Sequence, residues 1–290
     1  YLSYASLLNS NPRGAFYEQY EYDVRPPTDD HPFFGHYFKW AQAPQVLAEF
    51  GQAWQPFGGA GYFVIVALLL LAILLAIILI LLPVALRRRA DRASAAPFSL
   101  RSLIYFGLIG FAFLFVEIPL FQRFILYLGN PAYAFTTVLF SVLFFSGLGS
   151  RFSHRIPLRL SLPALVILVL VTPLLLPGLF SATLGLPLAI RMGLTALSLA
   201  PPGVLMGVPF PGGIRLMRQS QAPSGSAVQD GQIAWVWAVN GASSVVASIL
   251  SALLALTFGF NWVLVLGALC YAGAWATVRA WAAGLPHPAP

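Results

Sequence analysis

Charge is what this chain has least of. Only 9% of its 290 residues are Asp, Glu, Lys or Arg, against 59% apolar residues and a mean hydropathy of +0.80. That profile excludes an ordinary soluble domain and marks an integral membrane protein. Cysteine is nearly as scarce: the single Cys270 excludes an internal disulfide and any Cys-based metal or c-type haem motif. Its place in an apolar run makes it a packing residue. The histidines add no metal site, since His31 and His36 stand in an aromatic loop, His154 in a basic loop and His287 in a Pro-rich tail, without ligand spacing. No initiator Met, basic n-region or cleavable signal opens the chain, so "YLSYASLLNS" reads as the later part of something longer. No cofactor is expected within these residues.

Acid is the rarer sign of charge. Residues 1–60 carry Glu18, Glu21, Asp23, Asp29, Asp30 and Glu49 against Arg13, Arg25 and Lys39, whereas the rest sets thirteen bases against Asp91, Glu117 and Asp230. The positive charge therefore belongs to the apolar part, and residues 1–60 are net acidic. It sits there in short clusters between apolar runs, which is how loop charge orients a membrane protein and not how a nucleic-acid face is built. The lipid bilayer, and not nucleic acid, is the expected surrounding.

What the chain does have is apolar length. A helix crossing about 30 Å of hydrocarbon needs roughly 20 apolar residues, and such runs lie near 61–86, 102–127, 132–150, 160–179, 185–207, 233–257 and 261–281. The expected fold is an all-α bundle of about seven transmembrane helices over 61–283, preceded by a short polar segment, 1–60, and followed by a tail, 284–290. The first run is apolar all round and suits a peripheral, lipid-facing helix. Alternate loops carry the arginines: Arg87, Arg88, Arg89, Arg92 and Arg101, then Arg151, Arg155 and Arg159, then Arg215 and Arg218, with Arg279 ending the last run. The other loops, "GNP", the turn near 180–184 and "FGFN", have none. By the positive-inside rule the C-terminus is cytoplasmic and residues 1–60 lie outside. That segment reads as a short helix, extended chain around Pro26 and Pro27, and an interfacial aromatic stretch.

Polar residues inside the runs are the candidate functional positions. "FAFLFVEIPLFQRFILYLG" places Glu117, Gln122 and Arg123 in hydrocarbon, where a charge costs at least about 2.5–3.5 kcal/mol and needs a partner or water. Glu117 and Arg123 lie about 240° apart around a regular helix and cannot easily pair; Arg191 of the fifth run is a candidate partner for Glu117. The acid fits either a proton or substrate relay or a structural anchor. In "LAPPGVLMGVPFPGGIRLMRQSQ", Pro201, Pro202, Pro209 and Pro211 with four glycines require the helix to break or end. Gly203 and Gly207 form a small-xxx-small pair, and "GGIR" lacks the features of a phosphate loop. In "AWVWAVNGASSVVASILSALLAL", Asn240, Ser244, Ser248 and Ser251 share one face, beside Gly241 and Ala247, as a helix-packing seam does. Trp235 and Trp237 read as interfacial anchors. No catalytic constellation appears.

Taken together, "FVEIPLFQRFILYLGNPAYAFTTVLFSVLFFSGLGSRFSHR", "MGVPFPGGIRL" and "WAVNGASSVVASILSALLALTFGF" resemble the C-terminal membrane region of bacterial fused major-facilitator-like/spermidine-synthase-like membrane proteins. "RPPTDDHPFFGHYF" is similar to the segment that follows their aminopropyltransferase-like domain. The resemblance implies a bacterial inner (plasma) membrane location and an upstream Rossmann-like domain similar to polyamine synthases. The residues that would bind decarboxylated S-adenosylmethionine and polyamine lie in that domain and not in these positions, so Asp29 and Asp30 receive no catalytic role. Three functions follow as expectations: an anchor, scaffold or accessory subunit of a membrane complex, partnered by other membrane subunits or by the upstream domain; a major-facilitator-like transporter of a small solute, a cation among the candidates; or a membrane-bound polyamine aminopropyltransferase whose catalytic domain lies upstream.

Overall fold

A computed structural model describes residues 13–48, 60–83, 86, 100–220 and 226–283. The arginine cluster at 87–92, the ends of the polar N-terminal segment at 1–12 and 49–59, and the tail 284–290 lie outside those residues. Regular structure among the described residues is helical: α1 (Arg13–Gln19), a 3-10 turn (Trp40–Gln42), α2 (Ala43–Ala48), α3 (Ala60–Ala76, continued by a π-helical turn, Ile77–Leu81), α4 (Leu100–Leu128), α5 (Pro131–Arg151), α6 (Leu158–Thr183), α7 (Leu188–Gly207), α8 (Pro209–Ser220), α9 (Ser226–Phe258) and α10 (Phe260–Ala283). Seven helices are long and apolar enough to cross a membrane, with α7 and α8 counted as one span. The protein is an all-α, multi-pass membrane bundle, and its contacts divide it into two compact units, Tyr1–Leu68 and Leu69–Pro290.

In the first unit a single cation organises the polar segment. The last turn of a helix leaves carbonyls without intrahelical partners, and Lys39 Nζ donates to three at the end of α1: Tyr17 O at 2.7 Å, Glu18 O at 3.3 Å and Tyr20 O at 2.6 Å. Positive charge there also complements the helix dipole. The Asp23 amide donates to Tyr37 O at 2.8 Å and closes the loop. Phe38 is buried against Tyr62 (5.0 Å between ring centres), and His36 packs on the same tyrosine at 4.6 Å. Burial there pushes the His36 imidazole below its usual value, with His31 acting the same way and Asp23 opposing.

Within the second unit α4 is the central column. Half of its most apolar stretch is buried, whereas none of α3's is, because α4 packs along both α9 and α10 while α3 is hydrophobic on every side and its buried residue, Tyr62, belongs to its first turn. α5 pairs with α7, and α6 packs against α10. Two hairpins turn in a single step. Gly129 and Gly259 take φ of +73° and +89°, and their amides close the preceding helices by donating to Ile125 O (2.9 Å) and Ala255 O (2.8 Å). Only glycine adopts that conformation without a Cβ penalty. Asn130 then caps α5 by accepting from the amides of Ala132 and Tyr133, with Pro131 in the first helical position.

Two sequence expectations need correction. Pro201 and Pro202 do not end the fifth span: α7 runs through both and yields only at Val208, where α8 begins with Pro209. Each proline forfeits one helical hydrogen bond, but unwinding in an apolar setting would expose many backbone groups at several kcal/mol each, so the helix persists around them. For the same reason α6 continues past Pro163, Pro173 and Pro177 to Thr183, and the turn falls at 184–187 and not at 180–184.

Close approach of α5 and α7 depends on glycine. A Cβ on Gly149 would strike the Val204 carbonyl, one on Gly207 the Ser146 carbonyl, and one on Gly203 would lie 2.8 Å from Phe145 Cβ. The small-xxx-small pair is thus an interface. Gly147, two residues before Gly149, faces open space. Gly149→Ala should therefore lower the stability of the purified protein in detergent by about 1–3 kcal/mol, while Gly147→Ala should be neutral or raise it slightly, as read from thermal unfolding of the two variants side by side.

The imidazole of His36 supplies a second test. Its folded value lies below the ordinary 6.5, so the unfolded segment takes up the proton first. The stability it lends is complete above about pH 6.5, declines as the pH falls below that value, and levels off once the folded form is protonated too. Hydrogen-exchange protection of residues 36–42, corrected for intrinsic rates, should follow that course, and His36→Gln should remove the dependence.

Candidate functional site

Three groups of polar residues lie along α4, and a further one joins α8 to the turn after α5. The first is the seam with α9. Asn240 Nδ2 donates to Phe106 O at 3.0 Å, and Ser244 Oγ donates to Gly110 O at 3.3 Å and Asn240 O at 3.0 Å. Both α4 acceptors and both α9 donors advance by four residues, so the helices run parallel with one turn in register. The approach is close because Gly110 has no side chain: a Cβ there would lie 2.6 Å from Asn240 O. Gly241, expected beside the seam, faces open space, and the glycines that admit α9 belong to α4, at 107 and 110. Ser248 bonds within its own helix to Val245 O (2.8 Å), whereas Ser251 is fully buried with no hydrogen-bond partner for its hydroxyl among the described residues.

Glu117 and Gln122 form the second group. Both are half-buried, and neither makes a hydrogen bond or ion pair with any described residue. The expected Glu117–Arg191 pair is absent. Its physical reason is longitudinal: Arg191 reaches the last turn of α4, at Tyr127, about 15 Å along the axis from residue 117. Continuing the seam register from Gly110 and Ser244 brings Glu117 level with Ser251, and Tyr271 of α10 lies within electrostatic reach of the carboxyl.

The third group closes the end of the bundle where α4 finishes and α5, α7 and α10 begin. Arg123, only 7% exposed, donates from Nη2 to Asn261 Oδ1 at 2.7 Å. Arg191 donates from Nη1 to Tyr127 O at 2.6 Å, with its guanidinium 5.8 Å from the Tyr127 ring centre. The Tyr127 hydroxyl shares a 2.8 Å hydrogen bond with Thr183, and its ring stacks on Phe180 at 4.4 Å. The acceptors of these two hydrogen bonds, Asn261 Oδ1 and Tyr127 O, are neutral.

At the opposite end Pro209 and Pro211 start α8, and the Tyr105 hydroxyl donates to Pro209 O at 2.7 Å. Arg215 donates to Ser153 Oγ (2.9 Å) and Ser153 O (2.6 Å), tying α8 to the turn after α5. The break between α7 and α8 is a packed joint. Trp237 packs against Phe210 with ring centres 4.3 Å apart and planes inclined at 57°, and it is largely exposed, as an interfacial tryptophan is.

Sequence reading missed Tyr127, Thr183, Asn261, Tyr105 and Ser153. An Asn two residues past a helix-closing Gly was the visible signal for Asn261; the tyrosines carried none, being indistinguishable from other apolar-run aromatics. Among the described residues no three His, Cys, Asp or Glu side chains converge. Cys270 is half-buried against the core.

Asn240→Leu should cost about 0.6–1.7 kcal/mol in unfolding measured in mixed micelles, the range for interhelical hydrogen bonds in bilayers. Ser248→Ala, which removes only an intrahelical bond, should stay within about 0.5 kcal/mol of the parent.

Comparison of the chain with known protein families, with curated proteins and with solved structures returned no match.

Proposed function

We propose that this chain is a membrane-embedded helical module that anchors and scaffolds a synthase-like domain or a larger membrane assembly in a bacterial inner membrane, with its C-terminus on the cytoplasmic side. One observation carries the reading: five polar side chains tie neighbouring helices and turns together, Asn240 and Ser244 to α4 carbonyls, Arg191 to Tyr127 O, Arg123 to Asn261 and Arg215 to Ser153. Such bonds fix helices against one another. The resemblance of the three membrane stretches and of "RPPTDDHPFFGHYF" to spermidine-synthase-like fusions supports the partner domain, and the arginine distribution supports the orientation.

A transporter is the second reading, favoured by the one buried-depth carboxyl that no described residue holds, Glu117. Intramembrane acids without structural partners mark ion and proton pathways in transporters.

Gentle extraction and purification of the full chain separates the two. The scaffold reading expects further subunits to accompany it, and expects Glu117→Gln to leave their recovery unchanged, because the carboxylate holds no helix pair together. A lone particle that takes up spermidine or another small cation in proteoliposomes, and loses that uptake on Glu117→Gln at unchanged yield, would replace the scaffold with a carrier.

A further inference from the structure

At the end of the bundle where α5 finishes, α8 lies along the turn between α5 and α6. Arg215 of α8 donates from Nη1 to Ser153 Oγ at 2.9 Å and from Nη2 to Ser153 O at 2.6 Å, and Leu158 Cδ2 lies 2.7 Å from where a Cβ on Gly212 would stand. These contacts gather Arg151, Arg155, Arg159 and Arg218 on one rim, all four exposed. None forms an ion pair with a described residue. The carboxyl side chains of the unit Leu69–Pro290 are Asp91, Glu117 and Asp230. Glu117 lies about 18 Å along α4 from Tyr105, the residue that meets α8 at Pro209. Asp91 is flanked in sequence by Arg87, Arg88, Arg89 and Arg92, so Asp230 alone is left against the four guanidiniums of the rim.

Two ordinary reasons for arginine fall short here. Helix dipoles favour Arg151 and Arg218, each in the last turn of its helix, but Arg155 lies between helices and Arg159 stands in the first turn of α6, where a cation opposes the dipole. Membrane orientation asks only for positive charge, which lysine supplies equally. Yet Lys39, in the polar segment, is the only lysine among the 16 bases. The guanidinium fork, unlike an ammonium, matches the paired oxygens of a phosphate. Depth identifies which phosphate. Phe152 (41% exposed) and Leu160 (67%) alternate with the arginines, as side chains in contact with hydrocarbon do, and the Arg155 guanidinium stands 5.7 Å from the Phe152 ring centre. Guanidiniums directly beside lipid-facing apolar side chains are at the headgroup level.

We propose that this rim binds the headgroups of anionic phospholipids in the leaflet it faces. Arg155 and Arg159, the two that no helix dipole supports, take the phosphate, while Arg151 and Arg218 add the surrounding positive potential. Arg215 is the strut that keeps α8 beside the turn, with both Nη atoms already spent on Ser153.

The full chain, freed of lipid in a neutral detergent, is titrated separately with phosphatidylglycerol, phosphatidylcholine and inorganic phosphate at equal ionic strength. Native mass spectrometry counts bound lipid and thermal unfolding reports protection. Phosphatidylglycerol should bind and protect in clear preference to phosphatidylcholine, and inorganic phosphate should protect far less. Arg155→Gln combined with Arg159→Gln should weaken phosphatidylglycerol binding about thirtyfold, the effect of two arginines at the headgroup level. Arg101→Gln combined with Arg279→Gln, which removes equal charge from the same end outside the rim, should weaken it about threefold or less. The proposal falls if phosphatidylglycerol is not preferred over phosphatidylcholine, if inorganic phosphate protects as well as the lipid, or if the two double variants lose binding equally. Should the rim variant fail to fold, hydrogen exchange of the parent decides: phosphatidylglycerol must slow exchange at 151–159 more than at 184–187, the turn at the opposite end, and equal effects overturn the site.

Discussion

Hydrocarbon offers no hydrogen bonds, and nearly everything particular about this bundle follows from that. A backbone in lipid must remain helical even across proline, because the alternative exposes amides and carbonyls with nothing to receive them. This is why α6 and α7 keep their paths through five prolines between them, and why the chain changes direction in the shortest available turns, with Gly129 and Gly259 each closing one helix directly before the next begins. It is also why the side chains that do carry polarity are drawn to carbonyls.

α4 is where those demands meet. Its carbonyls receive α9 near Phe106 and Gly110 and receive Arg191 at Tyr127, while its side chains reach Pro209 through Tyr105 and Asn261 through Arg123. Gly107 and Gly110 give α9 access to the α4 backbone on one face, and Gly267 and Gly273 of α10 accept Phe115 and Leu108 of α4 on another. A helix hydrogen-bonded to its neighbours near both ends and packed closely at glycines has little freedom to rotate, because close packing permits only discrete arrangements.

Much of this was legible in the sequence, and the reason is specific. Seven apolar runs separated by short Gly/Pro turns predict seven spans because apolar length is set by the bilayer itself, and Asn240 and Ser244 announced a seam through their four-residue spacing. What stayed hidden was which neighbour each group would find. Periodicity gives a face but not its partner, so the glycines at 107 and 110 were not connected with Asn240, and Gly241 was credited with a closeness that belongs to α4. Arg191 was matched with Glu117 because opposite charges attract, yet the match ignored depth: a donor in the first turn of α7 meets the last turn of α4 and no other part of it. Proline was read with soluble-protein rules, under which water would have rewarded a break.

Depth also explains the odd position of the acid. Each arginine in the described bundle sits near a helix end, where carbonyls are available and a long side chain can reach the boundary. Glu117 is 17 residues into a 29-residue helix, where carbonyls are already bonded and repel a carboxylate in any case. Only donors would suit it. The donors at that level are the Ser251 hydroxyl, which has no partner of its own, and the Tyr271 hydroxyl within electrostatic reach. Helix packing accounts for Asn240, Ser244, Arg123, Arg191 and Arg215 without remainder of this kind. It does not account for a carboxyl placed between two hydroxyl-bearing helices and bonded to neither, because an unbonded acid at that depth contributes nothing to the stability of the bundle.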